Sequence, residues 1–109
     1  MALALNVFKT VTAVVNTSVT VIYTAPVGYT GVVLLAQVAN VGSNPEDITF
    51  IHRRSAVDTE LLKNFPISAS DTANLLAGKL VLEAGDKLVL SGSNASNLKF
   101  IGSILETLN

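Results

Sequence analysis

Residues 78–92, GKLVLEAGDKLVLSG, constrain the fold of this chain more than any other stretch. Two apolar runs, Lys79–Leu82 and Lys87–Leu90, flank the short sequence EAGD. Gly85 accepts a positive φ without steric cost and the Asp86 carboxylate can bond to nearby backbone, so both are predicted to be structural turn residues. A four-residue connection of this kind typically closes a β-hairpin, which needs further strands to cover its apolar face. The stretch therefore predicts a hairpin inside a larger all-β domain.

Shorter stretches elsewhere repeat the two-residue apolar period that marks half-buried strands. The alternation is clear at 18–24, 47–53 and 98–104, and it also runs through the first fifteen residues. In the second of these strands, Ile48 and Phe50 are predicted to face inward. No long stretch keeps a helical period. We therefore predict an all-β fold of about eight strands, a two-sheet β-sandwich that is jelly-roll-like, in a single domain over 1–109.

Several positions add detail to these strands. Val32 to Val41 is apolar at both parities, which is typical of a strand covered on two sides. Pro66 cannot donate a ladder hydrogen bond, and it predicts that the strand over 60–67 ends at a sheet edge. Gly102 interrupts the final strand and predicts a bulge or a close approach by another backbone. The segment 73–77 fits either a short strand or one helical turn.

The apolar content exceeds what one small sandwich is expected to bury. Half of the residues are hydrophobic and 14% are charged, against the usual ~25% charged. A two-layer sandwich covers one face of each sheet, so the other face needs a neighbour or a covering loop. The composition therefore favours a homo-oligomer or an assembly component. The residues predicted to form its interface are Val32, Val33, Leu34, Leu35, Val38, Arg53 and Arg54.

The sequence leaves open which parity of the 32–41 strand faces outward. If Leu34 and Val38 face outward, a charge at either is expected to dissociate the assembly without unfolding the subunit. If the other parity faces outward, the same holds for Val33 and Leu35.

Charge and cysteine content argue against several classes of protein. A net charge of −1 gives no basis for nucleic-acid binding. The chain has no cysteine, which excludes disulfides and thiolate chemistry and favours folding inside a cell. No run approaches ~20 apolar residues, so no membrane-spanning segment is expected. The first residues lack a basic n-region, so no secretory signal peptide is predicted.

No group of side chains in this sequence predicts catalysis, a metal site or a cofactor site. His52 is the only histidine, and the adjacent Arg53 and Arg54 disfavour a cation there. Neighbouring strand residues point to opposite faces, so the two arginines are not expected to act as one clamp, although either could hold an acidic partner. Glu83 and Asp86 share a tight turn that offers no cleft for acid–base catalysis. We therefore predict that the protein is not an enzyme.

Several short motifs resemble those of small structural proteins of tailed bacteriophages, nearest to the virion proteins of marine and cyanobacterial phages. The resemblance lies in two segments, TAPVGYTGVVLLAQVANV at 24–41 and GKLVLEAGDKLVLSGSNASNLKFIGSILE at 78–106. Within and beside them, the matching motifs are Tyr23 to Pro26, Ala39-Asn40, Leu82 to Asp86 and Leu105-Glu106. These motifs are turns and strand ends, and they do not distinguish head, neck and tail proteins.

The resemblance implies a non-enzymatic β-sandwich component of the virion, and in particular a capsid decoration (cement) protein that stabilises the head shell. Its partner would be the major capsid protein or another virion protein, and a trimer is expected by analogy. It would be made in the host cytoplasm and lie on the capsid surface. A neck, baseplate or fibre component is the alternative. A carbohydrate-binding module is a further alternative, in which Tyr23 and Tyr29 would form a sugar-stacking platform.

Overall fold

The structure is a computed structural model that describes residues 5–109, and every regular element in that range is a strand. The strands are β1 (Asn6–Val14), β2 (Thr20–Thr24), β3 (Tyr29–Asn40), β4 (Glu46–Arg54), β5 (Val57–Ile67), β6 (Thr72–Asn74), β7 (Leu80–Leu82), β8 (Lys87–Gly92) and β9 (Leu98–Leu108). The predicted strand over the first fifteen residues is confirmed from Asn6 onward, and its first positions lie outside the described range.

The strands form two antiparallel sheets. Sheet A has the order β1-β9-β3-β6, with β7 pairing a different part of β3, and sheet B has the order β2-β8-β4-β5. Strands β1 to β4 alternate between sheet A and sheet B. The strand order of the two sheets is that of an eight-stranded jelly roll, in which β6 and β7 together occupy the place of one strand. The predicted all-β, two-sheet, jelly-roll-like architecture is confirmed.

The hairpin predicted over 78–92 is wrong. Strand β7 pairs with β3 in sheet A, whereas β8 pairs with β2 and β4 in sheet B. The turn itself is as expected, because Gly85 has a φ of 88° and the Asp86 amide donates to the Glu83 carbonyl at 2.9 Å. Leu82 and Leu88 both bury their side chains between the sheets. The chain therefore turns a corner from one sheet to the other instead of folding back on itself.

Apolar side chains from both sheets meet in one buried cluster. Ile48 and Phe50 are fully buried, as their alternation predicts. The Phe50 ring in sheet B lies 6.2 Å from the Phe100 ring in sheet A, measured between centroids. Burying a side chain of this size stabilises the fold by about 1.5–3 kcal/mol relative to its exposed state. The other buried members of the cluster include Val15, Val33, Val38, Leu82, Leu88, Leu90, Leu98 and Ile104.

Strand β3 carries a bulge that explains why its sequence is apolar at both parities. Its register against β9 shifts between Val33 and Leu35, so Leu34 and Leu35 are both exposed while Val33 and Ala36 are buried. Gly102 lies opposite Ala36 next to this bulge. A Cβ atom on Gly102 would lie 3.3 Å from the Leu35 carbonyl oxygen and 2.9 Å from the Phe100 ring. The close approach predicted from the glycine is therefore present.

The remaining strand predictions concern the sheet edges. Strand β5, which contains Pro66, is an edge of sheet B, as predicted. The segment over 73–77 contributes to a short strand, β6, and not to a helical turn. Within residues 5–109, no helix is long and apolar enough to cross a membrane.

Candidate assembly surface and its polar anchors

Four apolar side chains lie side by side on the outer face of sheet A. Phe8 of β1 is opposite Leu105 of β9, Leu105 is opposite Val32 of β3, and Val32 is opposite Val81 of β7. Directly opposite residues share a face of the sheet. Their sequence neighbours Ile104, Val33 and Leu82 are buried between the sheets, so these four side chains point away from the core. We call Phe8, Leu105, Val32 and Val81 the outer row.

The ends of the outer row are open to solvent. Phe8 is 74% exposed and Val81 is 56% exposed, while Leu105 and Val32 between them are half-buried. Leu35 and Ile101 extend the apolar surface along the same face, and each is close to 40% exposed. A contiguous apolar surface of this kind is typical of a protein–protein contact.

The predicted interface residues on β3 divide into two groups. Val32, Leu34 and Leu35 lie at least partly at the surface. Val33 and Val38 are fully buried between the sheets and are not available to a partner. The bulge places Leu34 and Leu35 outward together. Neither predicted alternative, with Leu34 and Val38 outward or with Val33 and Leu35 outward, therefore holds along the whole strand.

Arg53 and Arg54 have separate partners inside the chain, as their opposite orientations predict. Arg53 pairs with Asp58 across the β4–β5 turn, with Nε–Oδ1 at 2.6 Å. The Arg53 guanidinium holds the pKa of the Asp58 carboxyl below its usual range. Arg54 points towards the corner between β7 and β8, where it bonds to Asp86.

The carboxylate of Asp86 is a buried anchor that joins β4 to the turn between β7 and β8. Its side chain is 2% exposed. It accepts two hydrogen bonds from Arg54, of 2.9 Å and 2.7 Å, and one of 2.9 Å from the Glu83 amide. His52 Nε2 lies 3.1 Å from Asp86 Oδ2. The guanidinium of Arg54 also lies 3.3 Å from Glu83 Oε2, so it bridges both turn carboxylates.

These contacts keep Asp86 ionised. The hydrogen bonds from Arg54 hold its pKa well below the usual range, and the contacts with His52 and the Glu83 amide act in the same direction. Burial opposes the shift but is outweighed. The sequence indicated a turn residue at Asp86 but gave no sign of the bonds to β4, because its partners are more than thirty positions away.

A groove of about 420 Å³ adjoins this anchor and is lined by His52, Arg54, Ser55, Val57 and Thr59. Arg54 and His52 both have contacts with the same carboxylate. The arrangement is therefore suited to holding the corner of the sandwich in place. Residues 5–109 contain no group of three or more acidic or histidine side chains placed to hold a metal ion.

A second buried carboxylate lies at the β1 side of the sandwich. Glu106 of β9 is 3% exposed. It accepts a 2.5 Å hydrogen bond from the Tyr23 hydroxyl of β2, and Lys9 Nζ of β1 lies 3.2 Å from its other oxygen. Burial and the contact with Glu106 raise the pKa of Tyr23 above its usual value. The cluster ties sheet A to sheet B, and it shows that Tyr23 bonds inward to a carboxylate.

Comparison with known proteins identifies the fold. No protein-family model matches the chain, and no curated protein matches its sequence. Among solved structures, the fold is similar to that of a protein from the disulfide-linked pili that form Bacillus endospore appendages. The similarity covers 95% of this chain and 88% of that chain, with a TM-score of 0.57 and 14% sequence identity. At this identity the likeness concerns the fold alone.

The two proteins differ in how their assemblies could be linked. The endospore appendages are disulfide-linked pili, whereas this chain contains no cysteine. This chain therefore cannot form disulfide links through its own residues.

Proposed function

We propose that this protein is a non-enzymatic structural subunit that assembles with copies of itself or with a larger shell through the outer face of sheet A. The observation that carries the proposal is the outer row, in which Phe8, Leu105, Val32 and Val81 form one apolar band across four strands. The jelly-roll fold, which is shared with an appendage protein, supports a structural role.

The polar anchors support the same proposal. Buried charges at Asp86 and Glu106 are paired within the chain, and their contacts hold the corner and one side of the sandwich. These contacts fit a structural role for both carboxylates. In this proposal, the sandwich is a rigid body, and its apolar outer face binds the neighbouring subunit or shell.

Within this class, we propose a capsid decoration protein of a tailed bacteriophage. The resemblance at 24–41 and 78–106 supports this assignment, as does the apolar outer face, which could bind the major capsid protein. The protein would lie on the surface of the virion, where it is expected to form a trimer by analogy with other decoration proteins. Neck, baseplate and fibre positions are variants of the same proposal.

A second candidate is a subunit of a filamentous surface appendage. The fold similarity to a protein of endospore appendage pili favours this candidate. In that case the chain would bind further copies of itself repeatedly, and the absence of cysteine would make the filament sensitive to denaturants even under oxidising conditions.

One experiment tests both candidates. The purified protein is examined by analytical ultracentrifugation and electron microscopy, alone and after mixing with phage shells that lack decoration. A decoration protein is expected to form small oligomers and to coat the shells, whereas an appendage subunit is expected to form filaments by itself. A monomer that neither self-associates nor binds shells would contradict the proposed function.

A further inference from the structure

The four edges of the two sheets differ in how well they are protected against pairing with another chain. Natural sheets block their edges with short strands, bulges, prolines and charges. Edge β2 has five residues and a register shift, and the edge formed by β6 and β7 consists of two three-residue strands. Edge β5 has two register shifts against β4, contains Pro66, and has a positive φ at Asn64. These three edges are blocked.

Strand β1 has only one of these protections, a charge at Lys9, and lacks the others. It has nine residues, contains no proline, and pairs with β9 in one continuous register. The side chain of Lys9 is 47% exposed, and its ammonium group is paired with the buried carboxylate of Glu106 at 3.2 Å. Within residues 5–109, no strand is hydrogen-bonded to the other side of β1. An edge that is long, regular and rich in Val and Thr is suited to adding a strand from another chain.

The ladder with β9 shows which main-chain groups are free on β1. The Val15 amide donates to the Leu98 carbonyl, and the Leu5 carbonyl accepts from the Leu108 amide. In an antiparallel ladder, hydrogen-bonded residues alternate with residues whose main-chain groups point the other way. The odd-numbered residues of β1 therefore face β9. The main-chain N–H and C=O groups of Asn6, Phe8, Thr10, Thr12 and Val14 point towards the open edge.

We propose that β1 pairs antiparallel with β1 of a second copy about a two-fold axis, with Phe8 of each copy opposite Val14 of the other. Val11 of the two copies would then meet on the axis. This pairing joins the two A sheets into one continuous sheet. The inference rests on the proposed function, and it adds an edge contact between copies that is distinct from the outer face and that gives a two-fold pair in place of the trimer expected by analogy.

The register follows from the side chains. Phe8 is 74% exposed and Val14 is 55% exposed on the outer face, and an aromatic side chain opposite a β-branched one is a favourable cross-strand pair. The same register places Thr10 opposite Thr12, which is also favourable. A register shifted so that the axis passes through Lys9 would place two ammonium groups opposite each other, which is unfavourable.

A groove on the outer face provides room for the incoming aromatic ring. It has a volume of about 510 Å³, and it lies beside Val14, lined also by Thr12, Ala39, Lys99 and Ile101. Phe8 of the second copy, placed opposite Val14, would lie next to this groove. The two copies of the groove and the two phenylalanines are exchanged by the two-fold axis, so both contacts form together.

The second copy is the occupant that fits this edge best. The other three edges of this chain are blocked, so β1 of another copy is the strand that remains for pairing. With a net charge of −1 on each copy, long-range repulsion between copies is small. The seven paired residues, 8–14, span about 24 Å of strand. An edge contact of this length lies at the low end of interface sizes, so we expect association at micromolar or higher concentration.

The first test removes one main-chain donor from the open edge. Thr10→Pro deletes an N–H that points away from β9, which is the position where an edge strand tolerates proline. Because the substitution acts twice across the axis, we expect a roughly 10-fold or greater loss of dimer affinity by analytical ultracentrifugation. Thr10→Val keeps the N–H and is expected to dimerise like the wild type. Circular dichroism of both variants checks that the fold is retained.

The second test uses the natural absence of cysteine to read the register. In the proposed pairing, Val11 faces Val11 of the second copy in a non-hydrogen-bonded pair, where the Cα atoms are about 4.5 Å apart. This spacing permits a disulfide. Val11→Cys is expected to give a covalent dimer under mild oxidation. Val7→Cys is the control, because its two copies would be separated by eight residues along the strands, about 27 Å.

The results distinguish this pairing from the wider proposed function. The β1 pairing is overturned if Thr10→Pro associates as tightly as the wild type, or if Val11→Cys crosslinks no better than Val7→Cys. If Thr10→Pro still assembles but a charge at Leu35 prevents assembly, β1 pairing fails while the proposed function stands. If the wild type stays monomeric at high micromolar concentration but coats phage shells, β1 pairing likewise fails and the proposed function stands.

Discussion

The guanidinium of Arg54 donates two hydrogen bonds to the carboxylate of Asp86, Nε–Oδ1 at 2.9 Å and Nη2–Oδ2 at 2.7 Å. This pair ties the end of β4 to the corner at which the chain passes from sheet A to sheet B. Asp86 is almost fully buried, so its charge requires these partners. The pair therefore contributes to the stability of the corner, together with the main-chain hydrogen bonds between Ala25 and the turn.

Replacing Asp86 by Asn removes the charge that Arg54 and His52 contact. Hydrogen bonds to charged groups contribute about 1.5–3 kcal/mol each. Because an asparagine oxygen can still accept one bond, we expect the free energy of unfolding to fall by roughly 1.5–3 kcal/mol in total. Urea denaturation near neutral pH measures this loss.

Asp58→Asn is the matched control for this substitution. It breaks the solvent-accessible pair with Arg53, which is expected to contribute little to stability because water screens the two charges. If Asp58→Asn lowers the free energy of unfolding as much as Asp86→Asn does, then the burial of Asp86 does not strengthen its ion pair.

The ionised state of Asp86 also predicts how stability changes with pH. Its pKa is lowered in the folded protein, whereas an unfolded chain has a value near the ordinary ~3.9. A depressed folded pKa contributes stability that is present above the unfolded pKa and is lost as pH falls towards the folded pKa. We therefore expect the stability difference between the wild type and Asp86→Asn to shrink as pH falls below about 4.

Chemical denaturation at a series of acidic pH values measures this difference. Other carboxylates titrate in both proteins, so the comparison between the two isolates Asp86. A stability gap that stays constant down to about two pH units below the unfolded pKa would contradict the assigned ion pair.

Gly102 is predicted to be intolerant of a side chain. A Cβ atom there would lie 2.9 Å from the Phe100 ring and 3.3 Å from the Leu35 carbonyl, both tighter than ordinary contact. Overpacking in a core typically costs 1–3 kcal/mol, so we expect Gly102→Ala to lower the free energy of unfolding by roughly that amount. Thermal and urea denaturation report it.

Gly78→Ala is the control for this prediction. No atom lies within 4 Å of the added Cβ, and the φ of Gly78 is outside the left-handed region. Replacing such a glycine by alanine stabilises a protein by about 0.4–1 kcal/mol, because the unfolded chain loses freedom. Equal destabilisation by both substitutions would show that close contact is not the cause.

The parts of the fold that sequence reasoning predicted well depend on local rules. Ile48 and Phe50 face inward because the side-chain period of a strand is two residues. Gly102 marks a close approach because only glycine fits there. Pro66 marks an edge because it lacks an N–H. Each of these conclusions requires only the residue and its immediate neighbours.

The parts that it missed depend on long-range pairing. The turn at Gly85 was predicted correctly, yet the runs beside it enter different sheets, since a four-residue turn suits either a hairpin or a corner. The bulge beside Leu34 depends on the register with β9, and it reverses the parity along β3. The outer row and the Asp86 anchor join residues that are distant in sequence. No local pattern could have brought them together.

The final prediction concerns which residues of β3 a partner can contact. Val38 is fully buried, and a carboxylate at that position would have no partner between the sheets. Because the cost of burying it is comparable with the whole stability of a small domain, about 5–15 kcal/mol, Val38→Glu is expected to unfold the protein. Circular dichroism would show loss of the sheet signal.

Leu35→Glu is expected to behave in the opposite way. Leu35 is 38% exposed on the outer face of sheet A, so a charge there can reach water without disturbing the core. A partner that covers this face would bury the new carboxylate, so the assembly should weaken while the fold is kept. Sedimentation measures assembly, and circular dichroism measures whether the fold is kept.

Val57→Glu is the control, because it places the same charge at an exposed valine of sheet B, where we expect no effect on assembly. If Leu35→Glu and Val57→Glu assemble equally well, the outer face of sheet A is not the contact surface.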